Sequence, residues 1–275
     1  VPSGPTKFRG WYDDIAITAS PDEPQITSRV DYAVTTRGTQ SSGSFSRGNN
    51  IPATAVPHGF NFWAPMTNAG SLSWFYRYHQ DNDDQNRTSL QALTLSHETS
   101  PWMGDRQTFQ VMPSAAEGIP DPGRNARELT FEHENETARP HYYKVGFDNG
   151  QSAEIAPTDH AAVFRFTYPG DSARLVFDNV NNDGGLTLDP AAGTLTGFTD
   201  TRSGLSNGAT RMYVYATFDQ PVTGGGKYAT GERPNVQGHL EFDAGADRTV
   251  TMRIATSLIG IDQAKRNLEL EVGDD

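Results

Sequence analysis

The chain has 275 residues, with 22 Lys and Arg against 34 Asp and Glu, so its formal net charge is −12 with His neutral. That sign repels phosphate and argues against nucleic acid or an anionic membrane as partner. The mean hydropathy is −0.62, with no run near the roughly 18 apolar residues of a membrane span. There is no cysteine, which removes a disulfide scaffold, a thiol nucleophile and a thiolate metal site together.

Residues 1–47 read as an irregular opening segment with one strand-like run at 29–36, expected at a sheet edge. From Gly48 to Met112, aromatic residues crowd between polar loops and few periodic stretches exceed six residues, so loops and short strands are expected. From Arg127 the pattern becomes regular. Apolar residues alternate with polar ones around Leu129 and Phe131, Tyr143 to Phe147, Phe164 to Tyr168, Leu175 to Phe177, Tyr213 to Phe218, Leu240 to Phe242 and Val250 to Ile254. A period of two buries one face of each strand, and pairs such as Asn149-Gly150 and Pro169-Gly170 supply the turns. The fold class predicted is all-β: a large antiparallel β-sandwich over residues 48–260, with a loop-rich first half. Ile261, Ala264, Leu268 and Val272 are spaced for a helix, capped by Ser257 or Asp262. Residues 261–275 are therefore expected to be a linker helix. Its acidic end (Glu269, Glu271, Asp274, Asp275) opposes the helix macrodipole.

The densest chemistry lies in the stretch Ser96-His97-Glu98-Thr99-Ser100-Pro101-Trp102-Met103-Gly104-Asp105-Arg106. A Ser-His-acid triad is disfavoured, because neighbours on a chain rarely converge and no Gly-x-Ser-x-Gly elbow surrounds Ser96. Metal binding by His97 and Glu98 would need further ligands. A sugar-binding loop suits the composition: Trp102 to stack on a pyranose, with His97, Glu98 and Asp105 to bond its hydroxyls. A polar turn with a packed Trp is the plainer alternative. Glu132 and Glu134, spaced for one face of a strand, could do paired acid/base work, but a solvated edge is the expectation. Asp178, Asn179, Asn181, Asn182 and Asp183 have the oxygen-rich composition of a calcium loop without the EF-hand order, so a hairpin turn is expected there.

Taken together, several segments resemble glycoside hydrolase family 92, the exo-acting α-mannosidases. Gly48 to Phe60 is similar to the family's opening motif. Ser96-His97 resembles its Ser-His loop, and Phe131-x-His133-Glu134-x-Glu136 with Pro140, Tyr142, Tyr143 and Val145 resembles its next signature. Glu154 and Thr158 followed by Phe164-Arg165-Phe166, then Ser257, Ala264, Asn267, Leu268 and Glu271, complete five matches in order. His58, Ala53 and Glu98-Thr99 depart from the pattern, which puts linkage preference in question but not the fold. The resemblance implies the N-terminal β-sandwich of a secreted or cell-surface, bacterial α-mannosidase. In the complete enzyme an (α/α)6 catalytic domain is the partner, an α-mannoside glycan the substrate, and calcium the cofactor of an inverting mechanism. No catalytic carboxylate and no calcium are expected within this chain, and the fragment is expected to be inactive alone. Asn49, Asn50, Trp74, His97, Glu98, Trp102 and Asp105 are the expected sugar-facing residues, with core packing an equal alternative for Trp74. An independent carbohydrate-binding module is the other functional reading.

Overall fold

A computed structural model of the protein describes residues 28–56, 59–79, 82, 85, 87–208 and 210–273. The first 27 residues of the opening segment, Pro57, His58, Asp274 and Asp275 lie outside the described residues. The first strands are β1 (Phe62–Met66), β2 (Thr88–Leu90), β3 (Ala92–Ser96), β4 (Phe109–Ser114) and β5 (Leu129–Phe131). Then come β6 (Glu136–Arg139), β7 (Tyr142–Gly146), β8 (Ser152–Pro157), β9 (Ala161–Thr167), β10 (Ala173–Asp178) and β11 (Gly184–Asp189). β12 (Thr194–Thr199), β13 (Met212–Phe218), β14 (Val222–Lys227), β15 (Gly238–Phe242), β16 (Thr249–Ser257) and helix α1 (Ile261–Glu271) complete the chain.

Two sheets carry the fold. One has the order β1-β3-β4-β10-β15-β14, the other β11-β12-β13-β16-β9-β8-β7-β6, and β2 pairs with β5 apart from both. The ladders are antiparallel throughout the two sheets. The alternation read in the sequence explains why the sheets face each other. Phe164 and Phe166 of β9 are buried while Arg165 between them is exposed. Trp63 from the first sheet meets Phe164 of the second edge-on at 5.4 Å, and Phe218 bridges to Phe242 at 5.0 Å. Each fully buried ring of this kind contributes roughly 1.5–3 kcal/mol of transfer free energy.

The first-half strands lack a wet face for a visible reason. β3 is buried at every position and β1 at four of five, because loops cover the outer face of their sheet. Gln110 of β4 donates to the Ala69 carbonyl at 2.9 Å, and Arg127 donates to the Gln91 carbonyl at 2.9 Å. A strand covered on both faces has no wet side to alternate with.

Four expectations need correction. The run at 29–36 is not a strand: Arg29–Tyr32 is a 3-10 turn in which Ser28 and Asp31 cap each other's backbone. It touches the sheet edge through one bond, from Thr35 N to the Ala138 carbonyl at 3.2 Å. Glu132 and Glu134 do not share a strand face, since His133–Asn135 forms a second 3-10 turn. The segment after Asp178 is no hairpin, because β10 and β11 belong to different sheets; Asn179 and Asn181 brace this crossover by bonding Thr108, Thr199 and Thr201. Neither Ser257 nor Asp262 caps α1: the cap position is Gly260, and the Ser257 hydroxyl instead accepts from Ile259 N. The acidic end of α1 is also compensated. Glu271 accepts from the Thr158 hydroxyl, His160 N and His160 Nδ1, each at 2.7 Å.

Candidate functional site

Two backbone pairings bring Asn49, Asn50, His97 and Glu98 to adjoining clefts that Trp74, Trp102 and Asp105 do not line. Thr54 bridges Trp63, which lays residues 49–54 beside β1. β1 pairs with β3 so that Phe62 lies opposite Ser96, where the loop 97–105 leaves the sheet. Two adjoining clefts result, sharing Phe62 and Thr99 in their walls. One, of about 460 Å³, is lined by Asn49 and Asn50 with Arg37 and Pro101. The other, of about 390 Å³, is lined by His97, Glu98, Ser100 and Arg106.

The Asn49 side of the site is rigidly tied. Asn50 donates from its side chain to the Arg37 carbonyl at 3.1 Å and from its backbone to the Gly38 carbonyl at 3.0 Å. Gly48 is required there: with φ +118°, a Cβ would stand 2.5 Å from the Gly38 Cα. Asn49 Oδ1 accepts from the Trp74 indole at 3.2 Å, and both residues have left-handed backbones, at φ +53° and +48°. Trp102 meets Trp74 edge-on at 4.9 Å and is 54% exposed, beside Met103. Trp74 is half-buried between the two functions suggested for it.

The loop between His97 and Arg106 closes on itself. Glu98 and Arg106 form a backbone bridge and a side-chain ion pair. His97 Nδ1 lies 2.7 Å from the Phe60 carbonyl, and its ring stacks on Phe60 at 4.0 Å. Asp105 lines neither cleft: it is 1% exposed, and its Oδ1 accepts from Ser100 N at 2.7 Å. Its Oδ2 is buried and makes no well-formed hydrogen bond, since the nearby Ser96 hydroxyl donates to the Arg106 carbonyl at 3.3 Å. Burial pushes this carboxyl up to about 6, against the pull of the Ser100 amide and the Ser96 hydroxyl. Asp105 thus holds the turn that presents Trp102, while Asn49, Asn50, His97 and Glu98 face the clefts.

Two buried polar clusters were not read from the sequence. Glu136 accepts from the hydroxyls of Tyr76 and Tyr143 and contacts His133 Nδ1 at 3.0 Å. Burial, then the Glu136 charge, raises both tyrosines well above the phenolic norm. The signal was present: strand alternation puts Glu136 on the same side as buried Ala138. Asp178 sits between Arg127, at 2.6 Å, and Arg233, at 2.9 Å. That pair forms only across long sequence separations and left no local mark. Nearby, a polar cleft of about 930 Å³ lies at the Met66 end of β1, lined by Asn68, Gln91, Arg124 and Glu232 among others.

The described residues do not fit a calcium ion. No group of three or more His, Cys, Asp or Glu side chains is placed to hold a metal among them. The oxygen-rich crossover is committed elsewhere, with Asp178 on two guanidinium groups and Asn179 on threonines.

Fold and clefts together define an antiparallel β-sandwich domain with an open, polar and aromatic rim built at one end of β1 and β3. The family model described as Glycosyl hydrolase family 92 N-terminal domain matches residues 30–257, and the chain belongs to that family. Among solved structures, it is similar to the family GH92 inverting mannosidase BT2199 of Bacteroides thetaiotaomicron, with 31% identity and a TM-score of 0.80 over 92% of this chain and 34% of that one. The family GH92 α-mannosidase BT3965 of the same species shares 23% identity, with a TM-score of 0.69 over 88% of this chain and 35% of that one. A GH92 family glycosyl hydrolase, ccman5, shares 21% identity with a TM-score of 0.71 over 90% and 35%. The latter two show likeness of fold. The chain spans about a third of the length of these proteins. A comparison with curated protein sequences gives no match. Among the described residues no helix is long and apolar enough to cross a membrane.

Proposed function

We propose that this chain is the substrate-facing β-sandwich of a bacterial, exported α-mannosidase that releases terminal mannose from glycans with inversion. One observation carries the reading: Asn49, Asn50, His97 and Glu98, from segments nearly fifty residues apart, converge on clefts that share Phe62 and Thr99. Amide, imidazole and carboxylate groups beside an exposed indole are the chemistry that holds a pyranose: stacking on its apolar face and hydrogen bonds to its hydroxyls.

Inversion needs an acid and a base about 6.5–9.5 Å apart with water between them. Glu98 is paired with Arg106 and Asp105 is sealed under its own turn, so neither is offered as acid or base. The catalytic carboxylates and a calcium ion are assigned to a helical domain outside this chain, completing the cleft from the other side. Calcium there would polarise the sugar as a Lewis acid. The chain's own residues would bind and orient the sugar.

The test is turnover and binding by the purified chain. No hydrolysis of α-mannosides is expected, with weak, measurable binding of mannobiose. Hydrolysis abolished by Glu98→Gln would overturn the assignment. Tight binding by the chain alone would favour an independent carbohydrate-binding module.

A further inference from the structure

His97 does not stand alone in its cleft. The Phe60 ring is sandwiched between His97 at 4.0 Å and His160 at 4.9 Å, with interplanar angles of 29° and 27°. His160 is in turn gripped by Glu271 in the last turn of α1, through its Nδ1 and its backbone amide, both at 2.7 Å. The backbone repeats this connection. Phe60 N donates to the Asp159 carbonyl at 2.9 Å, and Asn61 Nδ2 donates to the His160 carbonyl at 3.0 Å and the Thr256 hydroxyl at 2.8 Å. Asn267 of α1 donates to the Thr256 carbonyl at 2.8 Å. Three stacked rings and two bonded backbone segments thus run from the end of the helix to the candidate cleft.

The far end of this array has a chemical consequence. A carbonyl oxygen only accepts, so at 2.7 Å from the Phe60 carbonyl His97 Nδ1 must carry the proton. In the neutral ring the lone pair is then on Nε2, which has no partner among the described residues. We infer that Glu271, His160 and Phe60 are positioning residues that hold His97 as the Nδ1–H tautomer, so that it presents an Nε2 acceptor to the cleft. A hydroxyl-bearing ligand would meet an acceptor at this point, flanked by the Glu98–Arg106 pair. The identity of that ligand rests on the function proposed above; the tautomer and its cause do not.

The experiment reads the tautomer directly. Long-range 1H–15N spectra of the imidazole rings, taken on the chain at neutral to alkaline pH without sugar, should show His97 with a pyrrole-type Nδ1 and a pyridine-type Nε2. Phe60→Leu keeps the backbone carbonyl and removes the stack. Glu271→Gln weakens the grip on His160. Both should move the two His97 nitrogens toward intermediate shifts as the ring samples both tautomers. A wild-type His97 protonated on Nε2 would overturn the inference. So would unchanged His97 shifts in Phe60→Leu with an otherwise preserved backbone spectrum. If Glu271→Gln undocks α1, Phe60→Leu alone decides, since it leaves the helix contacts in place. Added methyl α-mannoside forms a separate arm: no response of Nε2 would count against the proposed function and leave the positioning result standing.

Discussion

Replacing Asp105 with asparagine should stabilise the protein near neutral pH, by an amount that depends on pH in a defined way. The carboxyl is buried beneath the turn carrying Trp102, with Oδ1 on the Ser100 amide and Oδ2 in no well-formed hydrogen bond. Burial raises it from 3.8 to about 6. Because the folded state holds its proton more tightly, the associated stability is complete below 3.8 and is lost as pH rises through about 6. At about 1.4 kcal/mol per pKa unit, the gap corresponds to roughly 3 kcal/mol by pH 8. About 1 kcal/mol of this is already lost at pH 4.5. The introduced carboxamide does not ionise, can keep the bond from Ser100 N, and can offer its NH2 to the Ser96 hydroxyl, which already lies against the carboxyl. Urea unfolding of wild type and Asp105→Asn between pH 4.5 and 8 should therefore show the variant's advantage growing by about 2 kcal/mol. A difference independent of pH would refute the reasoning, because the penalty would then not come from ionising a sealed carboxyl.

Three further outcomes follow from other parts of the fold. Asp178→Asn leaves Arg127 buried without its counter-charge, while Arg233 keeps Glu232 at 2.8 Å, and should destabilise by about 3 kcal/mol, read in thermal unfolding; a loss under ~1 kcal/mol would mean that water already screens the cluster. At Glu271 partial burial raises the pKa, but bonds from the Thr158 hydroxyl and from His160 outweigh it and hold the carboxyl below its ordinary 4.5. The docking of α1 should therefore be intact above that value and loosen as pH falls through the lower folded one, seen as faster α1 amide exchange after correction for intrinsic rates. Trp102→Ala should change stability by no more than about 1 kcal/mol, since the ring is half exposed, yet abolish mannobiose binding in a titration. Unchanged binding would remove Trp102 as a stacking platform.

The strands of the second half were legible because each has one wet face. Phe164-Arg165-Phe166 states its own orientation, whereas in Ala92–Ser96, covered on both sides, Thr94 and Ser96 are as buried as Leu93 and Leu95, so its alternation marks no wet face. The opening segment misled for the opposite reason: its β-branched and aromatic residues suit a strand, but the reciprocal Ser28–Asp31 cap fixes a turn locally. At the site, residue types could be read while roles could not. His97 and Asp105 lie eight positions apart and looked equivalent as hydrogen-bonders, yet one faces a cleft and the other is sealed, which the closing of a loop decides. The contacts of His160 with Phe60 and with Glu271 join positions up to 111 residues apart. No local pattern encodes a meeting of that kind.

Trp74 and Asn49 give the rim a further property. Each is bent into a left-handed backbone, and the two are joined by the indole's hydrogen bond. For a bulky L-residue that conformation costs about 1–2 kcal/mol, which glycine would avoid. Glycine at position 74 would relieve that strain but lose the indole's packing on Trp102 and its bond to Asn49. The tryptophan thus trades backbone comfort for shape, its own contacts holding the strained turn in place. Trp74→Gly should leave the sheets intact and take sugar recognition with it.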